Sequence, residues 1–191
     1  GVSLSSKGEP DGMIIKYSAE GECEWAKGIG GSDWNEITTV SETSDGGYVA
    51  GGVFRNSNID LGNGIVLSSK GYDDGMIIKY SAEGEVEWAI GIGGDYEESI
   101  DTVLETNDGG IKAGGDFRSS SIDLGNGITL TKKDSGYTDG MIIKYNAEGE
   151  CEWAKGIGGS DWDKINSVAS TSDGGYVAGG YFKSSSIDLG N

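Results

Sequence analysis

The sequence predicts an all-β protein built from three copies of one unit, and three observations carry that expectation. The first is a period. The 191 residues divide as 63, 63 and 65, giving units 1–63, 64–126 and 127–191. Each unit ends in Ile-Asp-Leu-Gly-Asn and contains Asp-Gly-Met-Ile-Ile-Lys-Tyr. A period of this size marks an array of like units, so residues 1–191 form a single repeat domain. The second is alternation of apolar and polar residues, with no sustained 3.6-residue periodicity and with Gly interrupting every helical candidate. The third is composition: 36 Gly against one Pro, with 35% hydrophobic residues, suits short strands joined by tight turns.

The first hairpin joins Met13-Ile-Ile-Lys-Tyr17 to Glu22-Cys-Glu-Trp25. A loop of Ala19-Glu20-Gly21 suits a three-residue connection, because Gly21 can take the left-handed conformation such a loop needs. Straight pairing then sets Ser18 opposite Glu22, Tyr17 opposite Cys23, Lys16 opposite Glu24 and Ile15 opposite Trp25. Opposite charges and large apolar groups would face each other, and both pairings stabilise a sheet. Lys79 with Glu87 and Lys144 with Glu152 repeat the charge pair in the other units. Trp25, Trp88 and Trp153 are expected in the core.

The second hairpin follows the polar loop Gly30-Gly-Ser-Asp-Trp34. Residues 37–43 are rich in β-branched side chains, Ser44-Asp-Gly-Gly47 is a tight turn, and Tyr48-Val-Ala-Gly-Gly-Val-Phe54 returns. The small residues Ala50-Gly51-Gly52 predict close approach of another backbone, as in strands crowded around a common axis. A third hairpin turns at Asn63-Gly64, and again at Asn126-Gly127, the strongest two-residue turn signal. The third such pair would be Asn191 followed by Gly1, so one unit is expected to be split across the termini, with Asn191 near a Gly1.

Charge and composition exclude several functions. With Lys+Arg 14 against Asp+Glu 32, the net charge is −18, which disfavours phosphate backbones and anionic membranes. No run of eighteen apolar residues exists for a membrane helix, so no membrane insertion is expected. There is no His for acid–base catalysis or a Ser-His triad, and no phosphate-binding loop. With no initiator Met and no targeting motif, the chain reads as a mature product or an excised segment. Cys23 and Cys151 share a position that Val86 fills in the second unit, which predicts two unpaired, buried thiols.

Asp45-Gly-Gly-Tyr-Val-Ala-Gly-Gly52, the Asp-Gly-Met-Ile-Ile-Lys-Tyr block, Glu-Gly-Glu-x-Glu-Trp and Gly-Ile-Gly-Gly follow one another in this order along the chain, with Ile-Lys for Tyr-Val in the second unit. That order resembles the β-propeller repeats of bacterial secreted and surface proteins. The resemblance covers the whole chain and implies a β-propeller-like array of three blade repeats, with a split blade at the termini acting as a clasp. The unit is longer than a usual blade, by the Asn-Gly hairpin, and three blades are fewer than a closed propeller usually has. Two chains would complete a six-bladed ring, or the chain belongs to a longer array. A compact three-fold β-trefoil or β-prism-like fold is the alternative.

Residues shared by all units are explained by the fold. Asp45, Asp108 and Asp173 precede Gly-Gly in turns. Asp60, Asp123 and Asp188 lack the alternating ligands and closing Glu of a calcium loop, so no metal is assigned. Function would lie where the units differ. The loop after Gly-Ile-Gly-Gly carries Asp33 and Trp34, then Tyr96 and Glu97, then Asp161 and Trp162. An aromatic beside a carboxylate can stack on and hydrogen-bond a sugar; the other reading is packing between neighbouring units. The second unit also departs at Ile90, Lys112 and Asp116, and the third inserts two residues within Thr131-Lys-Lys-Asp-Ser-Gly-Tyr137. The expectation is therefore a non-catalytic extracellular or cell-surface scaffold for assembly or adhesion, without cofactor, forming homo-oligomers and taking a glycan or protein ligand. A lectin-like propeller using those six loop residues is the alternative.

Overall fold

The computed structural model describes residues 2–134 and 137–190. Among them there is no helix. The sixteen strands are β1 (Gly12–Tyr17), β2 (Cys23–Ile29), β3 (Asn35–Glu42), β4 (Tyr48–Phe54), β5 (Ile59–Asp60), β6 (Val66–Leu67), β7 (Asp74–Tyr80) and β8 (Val86–Ile92), followed by β9 (Glu98–Glu105), β10 (Ile111–Phe117), β11 (Ser121–Asp123), β12 (Thr129–Thr131), β13 (Asp139–Tyr145), β14 (Cys151–Ile157), β15 (Asp163–Ser170) and β16 (Tyr176–Phe182). The protein is thus all-β. Its sheets do not close into a barrel or ring among the described residues. The junction expected at Asn191 and Gly1 lies outside those residues, as do Ser135 and Gly136 of the third unit's insertion.

Two four-stranded antiparallel meanders, β3-β4-β7-β8 and β9-β10-β13-β14, make up the middle of the chain. Each straddles a repeat boundary, taking one hairpin from one unit and the next hairpin from the following unit. The small β5–β6 and β11–β12 hairpins lie at these boundaries. Their Asn-Gly turns form as expected, with positive φ at Asn63 (55°) and Gly64 (78°) and a hydrogen bond from Ile65 N to Gly62 O of 2.9 Å. At the two ends of the chain, β1–β2 and β15–β16 remain two-stranded. Each is half of a meander.

The register departs from straight pairing in every long hairpin. Tyr17 lies opposite Cys23 as expected, but Lys16 lies opposite Trp25, leaving Glu24 as an extra residue. The same bulge recurs at Glu87 and Glu152. The Lys–Glu ion pairs form even so, at 3.2, 3.1 and 3.0 Å, because a bulged residue can still swing its side chain toward its neighbour. Turn signals could not reveal the bulge, since the loop length is unchanged by it. The second hairpins bulge as well, at Thr38, Asp101 and Asn166. Opposite the first of these, a Cβ on Gly52 would stand 2.0 Å from Glu36 O, so the glycine cluster admits the bulge of its own partner strand. Beside it, a Cβ on Gly51 would run into side chains, Ile100 and Val103 of β9 among them, so what approaches from the neighbouring sheet is side chains and not the backbone expected.

Apolar side chains of the two meanders form the main core. Phe54, Met76, Ile78 and Tyr80 anchor one cluster, and Phe117, Met141, Ile143, Tyr145 and Cys151 the other. The tryptophans do not sit at the centre. Trp25, Trp88 and Trp153 are partly buried and pack between neighbouring sheets. Trp25 Nε1 donates to Ala82 O at 3.1 Å, and Trp88 Nε1 to Ala147 O at 3.0 Å, so each ties one hairpin to the turn of the next. Of the two free thiols, Cys151 is buried as expected but Cys23 is exposed. Cys151 belongs to a buried cluster with Ile111, Ile122 and Leu124 of the preceding unit, whereas among the described residues no sheet precedes β1 and β2.

Candidate functional site

The three aromatic loops are held by one recurring device. The residue that opens β3, β9 or β15 ties down the loop before it and the chain segment after the return strand. In the first unit Asn56 Nδ2 donates to Asn35 Oδ1 (2.9 Å), and Asp33 N donates to Asn56 Oδ1 (3.1 Å). In the second, Glu98 accepts from Ser119 N and Gly94 N, both at 2.9 Å, while Tyr96 N donates to Ser119 Oγ (2.9 Å). In the third, Asp163 accepts from Gly159 N (2.9 Å) and Ser184 Oγ (2.7 Å), and Asp161 N donates to Ser184 Oγ (2.8 Å). These carboxylates satisfy loop amides, as buried polar groups must be. Burial pushes the Glu98 carboxyl up, and the nearby Asp74 adds to this.

Asp11, Asp74 and Asp139 form a second set of caps. Asp74 accepts from Lys70 N at 2.8 Å and Asp139 from Lys133 N at 2.7 Å. Burial pushes both carboxyls up. A Cβ on Gly93 would stand 2.1 Å from Asp74 Cγ, which explains the first glycine of the closing pair in Gly-Ile-Gly-Gly. Sequence reasoning missed these caps; their signal was the Asp that opens every Asp-Gly-Met block.

The residues expected to bind a ligand are placed as follows. Asp33 accepts from Trp34 N at 2.9 Å, and Trp34 is half-buried. Glu97 forms an ion pair with Arg118 at 2.8 Å, and the Arg118 guanidinium stands 5.4 Å from the Tyr96 ring centre. Asp161 accepts from Trp162 N at 2.9 Å and pairs with Lys183 at 3.1 Å; the Trp162 amide and Lys183 hold its carboxyl below the ordinary range. Trp162 is exposed and stacks on Tyr137, with ring centres 5.2 Å apart. The structure keeps the three aromatics on three separate units. The cleft beside Tyr96 is lined by Arg118, Lys132 and Lys133, and the one beside Trp34 by Pro10 and Met13; neither draws in a second loop's aromatic. The stacking partner Tyr137 was missed, though Gly-Tyr precedes Asp-Gly in the second and third units.

The departures of the second unit are used against the third. Lys112 Nζ stands 4.5 Å over the Tyr176 ring, and Asp116 pairs with Lys164 at 2.9 Å, joined by the bulged Asp101 at 3.0 Å. Lys79 is buried between Asp45 (2.8 Å) and Glu87 (3.1 Å), and Lys144 between Asp108 (3.1 Å) and Glu152 (3.0 Å). Hydrogen bonds from Lys79 and Thr43 hold the Asp45 carboxyl well below the usual range, and those from Thr106 and Lys144 do the same for Asp108. No cluster of three or more metal-ligating side chains occurs among the described residues.

No known protein-family profile matches the chain. Over 115 residues, 60% of this chain, it is 27% identical to the regulatory protein FlaEY of Caulobacter vibrioides. The match spans only 12% of that protein's length.

Proposed function

We propose that the chain is a non-catalytic scaffold module of the β-propeller type, working outside the cell or at its surface in assembly or adhesion. One observation carries the reading. Where one unit follows another, recurrent charged and aromatic side chains hold the two together, as Trp25 holds Ala82 and Lys79 holds Asp45 at 2.8 Å. A molecule whose recurrent polar groups are used this way offers surface and repetition rather than a reacting centre. Each four-stranded meander supports the blade reading. Light scattering after size exclusion tests it: the expected mass is a multiple of 19.8 kDa, and a folded monomer at every concentration overturns assembly.

A lectin-like role is the second reading, favoured by the exposed Tyr137–Trp162 stack flanked by Asp161 and Lys183. Such a ledge offers an apolar face with polar groups at its rim. Glycan-array binding that disappears in Trp162→Ala supports it, and binding unchanged by Trp162→Ala removes it.

A further inference from the structure

We propose that the cleft where the second unit meets the third binds a small hydroxylated carboxylic acid, of the sugar-acid class, with Arg118 gripping its carboxylate. The inference goes beyond the scaffold reading and does not use the ledge at Trp162. It comes from the two unit boundaries inside the chain. At the first, the Arg55 fork holds Asp73 through two bonds, Nε to Oδ1 at 2.7 Å and Nη2 to Oδ2 at 3.1 Å. At the second, Arg118 stands for Arg55 and Thr138 for Asp73. The backbone fixes both equivalences. Arg55 N donates to Trp34 O as Arg118 N does to Glu97 O, and the carbonyls of Asp73 and Thr138 accept from the amides that open β9 and β15. Thr138 has no carboxylate to offer the fork. Arg118 gives Nη1 to Glu97 at 2.8 Å, and its Nε–Nη2 edge has no partner among the described residues.

A second exchange acts in the same direction. At the first boundary Ser69 Oγ donates to Arg55 O at 3.3 Å. In its place Lys132 Nζ donates to Arg118 O at 2.9 Å and to Tyr137 O at 3.1 Å. The boundary has lost a carboxylate and gained an ammonium. The cleft here measures about 600 Å³, a size that suits a small molecule. Arg118, Lys132 and Lys133 line it against one acid, Asp134, in a chain whose net charge is −18. The side chains of Glu97 and Arg118 are 42% and 40% exposed, so their pair exchanges partners at little cost.

The lining selects the class of ligand. Two parallel N–H groups on one edge of a guanidinium match the two oxygens of a carboxylate, and Arg55 with Asp73 shows that match made in this chain. Tyr96 supplies an aromatic wall, and Ser120 and Thr131 supply hydroxyls that both donate and accept. These suit a ring bearing hydroxyl groups. The net charge sets the size. A polyanion would run over the acidic surface beyond the cleft and be repelled, whereas a single carboxylate feels chiefly the charges within a screening length of about 8–10 Å.

Titration calorimetry of the full chain tests this with three probes: D-glucuronate, its methyl ester and inorganic phosphate. Glucuronate is expected to bind, one molecule per chain. The ester keeps the hydroxyls without the charge and is expected to bind about tenfold more weakly or worse, the worth of a charge-assisted hydrogen bond. Arg118→Lys keeps the charge without the fork and is expected to weaken glucuronate by about tenfold. Thr138→Asp puts the residue of the first boundary at the second and is expected to fill the fork and abolish binding. Trp162→Ala is expected to leave glucuronate binding unchanged; its loss there would move the ligand to the ledge and overturn the cleft. No saturable binding of glucuronate, equal binding of the ester, phosphate bound as tightly as glucuronate, or glucuronate bound unchanged by Arg118→Lys would each overturn the proposal. The scaffold reading stands or falls separately, on the mass in solution.

Discussion

The two middle sheets and the two end hairpins are written in nearly the same residues, yet they differ in almost every measure of packing. Asp-Gly-Met-Ile-Ile-Lys-Tyr is buried throughout in β7 and β13, and its Met and Tyr are exposed in β1. Tyr-Val-Ala-Gly-Gly-(Val/Tyr)-Phe is largely buried in β4 and open in β16. A local sequence therefore fixes strand, turn and bulge, while burial is conferred by the neighbour. Context rather than propensity decides what a strand is worth.

Replacing equivalent residues in the two regions sharpens that contrast. The largest difference is expected at the phenylalanines. Phe54→Ala or Phe117→Ala should cost about 3–5 kcal/mol, as for other buried aromatics. In the monomer Phe182→Ala should stay within about 0.5 kcal/mol, as for exposed sites. Urea unfolding followed by circular dichroism reads both; equal losses would break the distinction. A smaller gap is expected at the lysines. Lys79→Met removes a buried ammonium and its charged hydrogen bonds, worth about 1–3 kcal/mol, whereas Lys16→Met breaks only a solvated pair and should cost less. The same unfolding curves decide it.

The pH response should be the shallowest. Asp45 and Asp108 have folded values below the ordinary 3.8, so their contribution is present above it and lost as pH falls through the folded values. Both are substantially exposed, which keeps the effect small. Asp74, Asp139 and Glu98 have folded values raised by burial. Their contribution is full below the ordinary values and is lost as pH rises through the folded ones. Stability should therefore peak on the acid side of neutrality and decline below pH 3.8. Melting temperature against pH checks this. Glu98→Gln should lower the gain between neutrality and the peak, and Asp45→Asn with Asp108→Asn should flatten the acid decline.

Much of the fold was legible from the residues. Asn63-Gly64 demanded a turn with positive φ, and the tract 37–54 announced its hairpin, because such turns act locally. The Lys16–Glu24 type of pair was legible for the same reason. The bulge that moves Trp25 opposite Lys16 was not, since it changes neither loop nor composition. Nor was the straddling of repeat boundaries, because β4 meets β7 across the small hairpin between them. The aromatic loops were correctly located. Their acids, however, are engaged in short-range bonds that only coordinates reveal, such as Asp33 with the Trp34 amide and Glu97 with Arg118.

Strand pairing limits how the unit can change in length. Side chains alternate across a strand, so a deletion at any regularly paired residue would turn the rest of that strand inside out, whereas one at Glu24, Thr38 or their counterparts would restore straight pairing and remove the local kink. Losing Thr38 would also remove the hydroxyl that donates to Ile100 O at 2.6 Å. Growth or loss is tolerable only where no partner strand counts residues. The third unit obeys this: its two additional residues fall within 131–137, between the end of β12 and the start of β13. Every long hairpin of the three units keeps its full count, so new residues can be accepted at that link while the hairpins stay in phase.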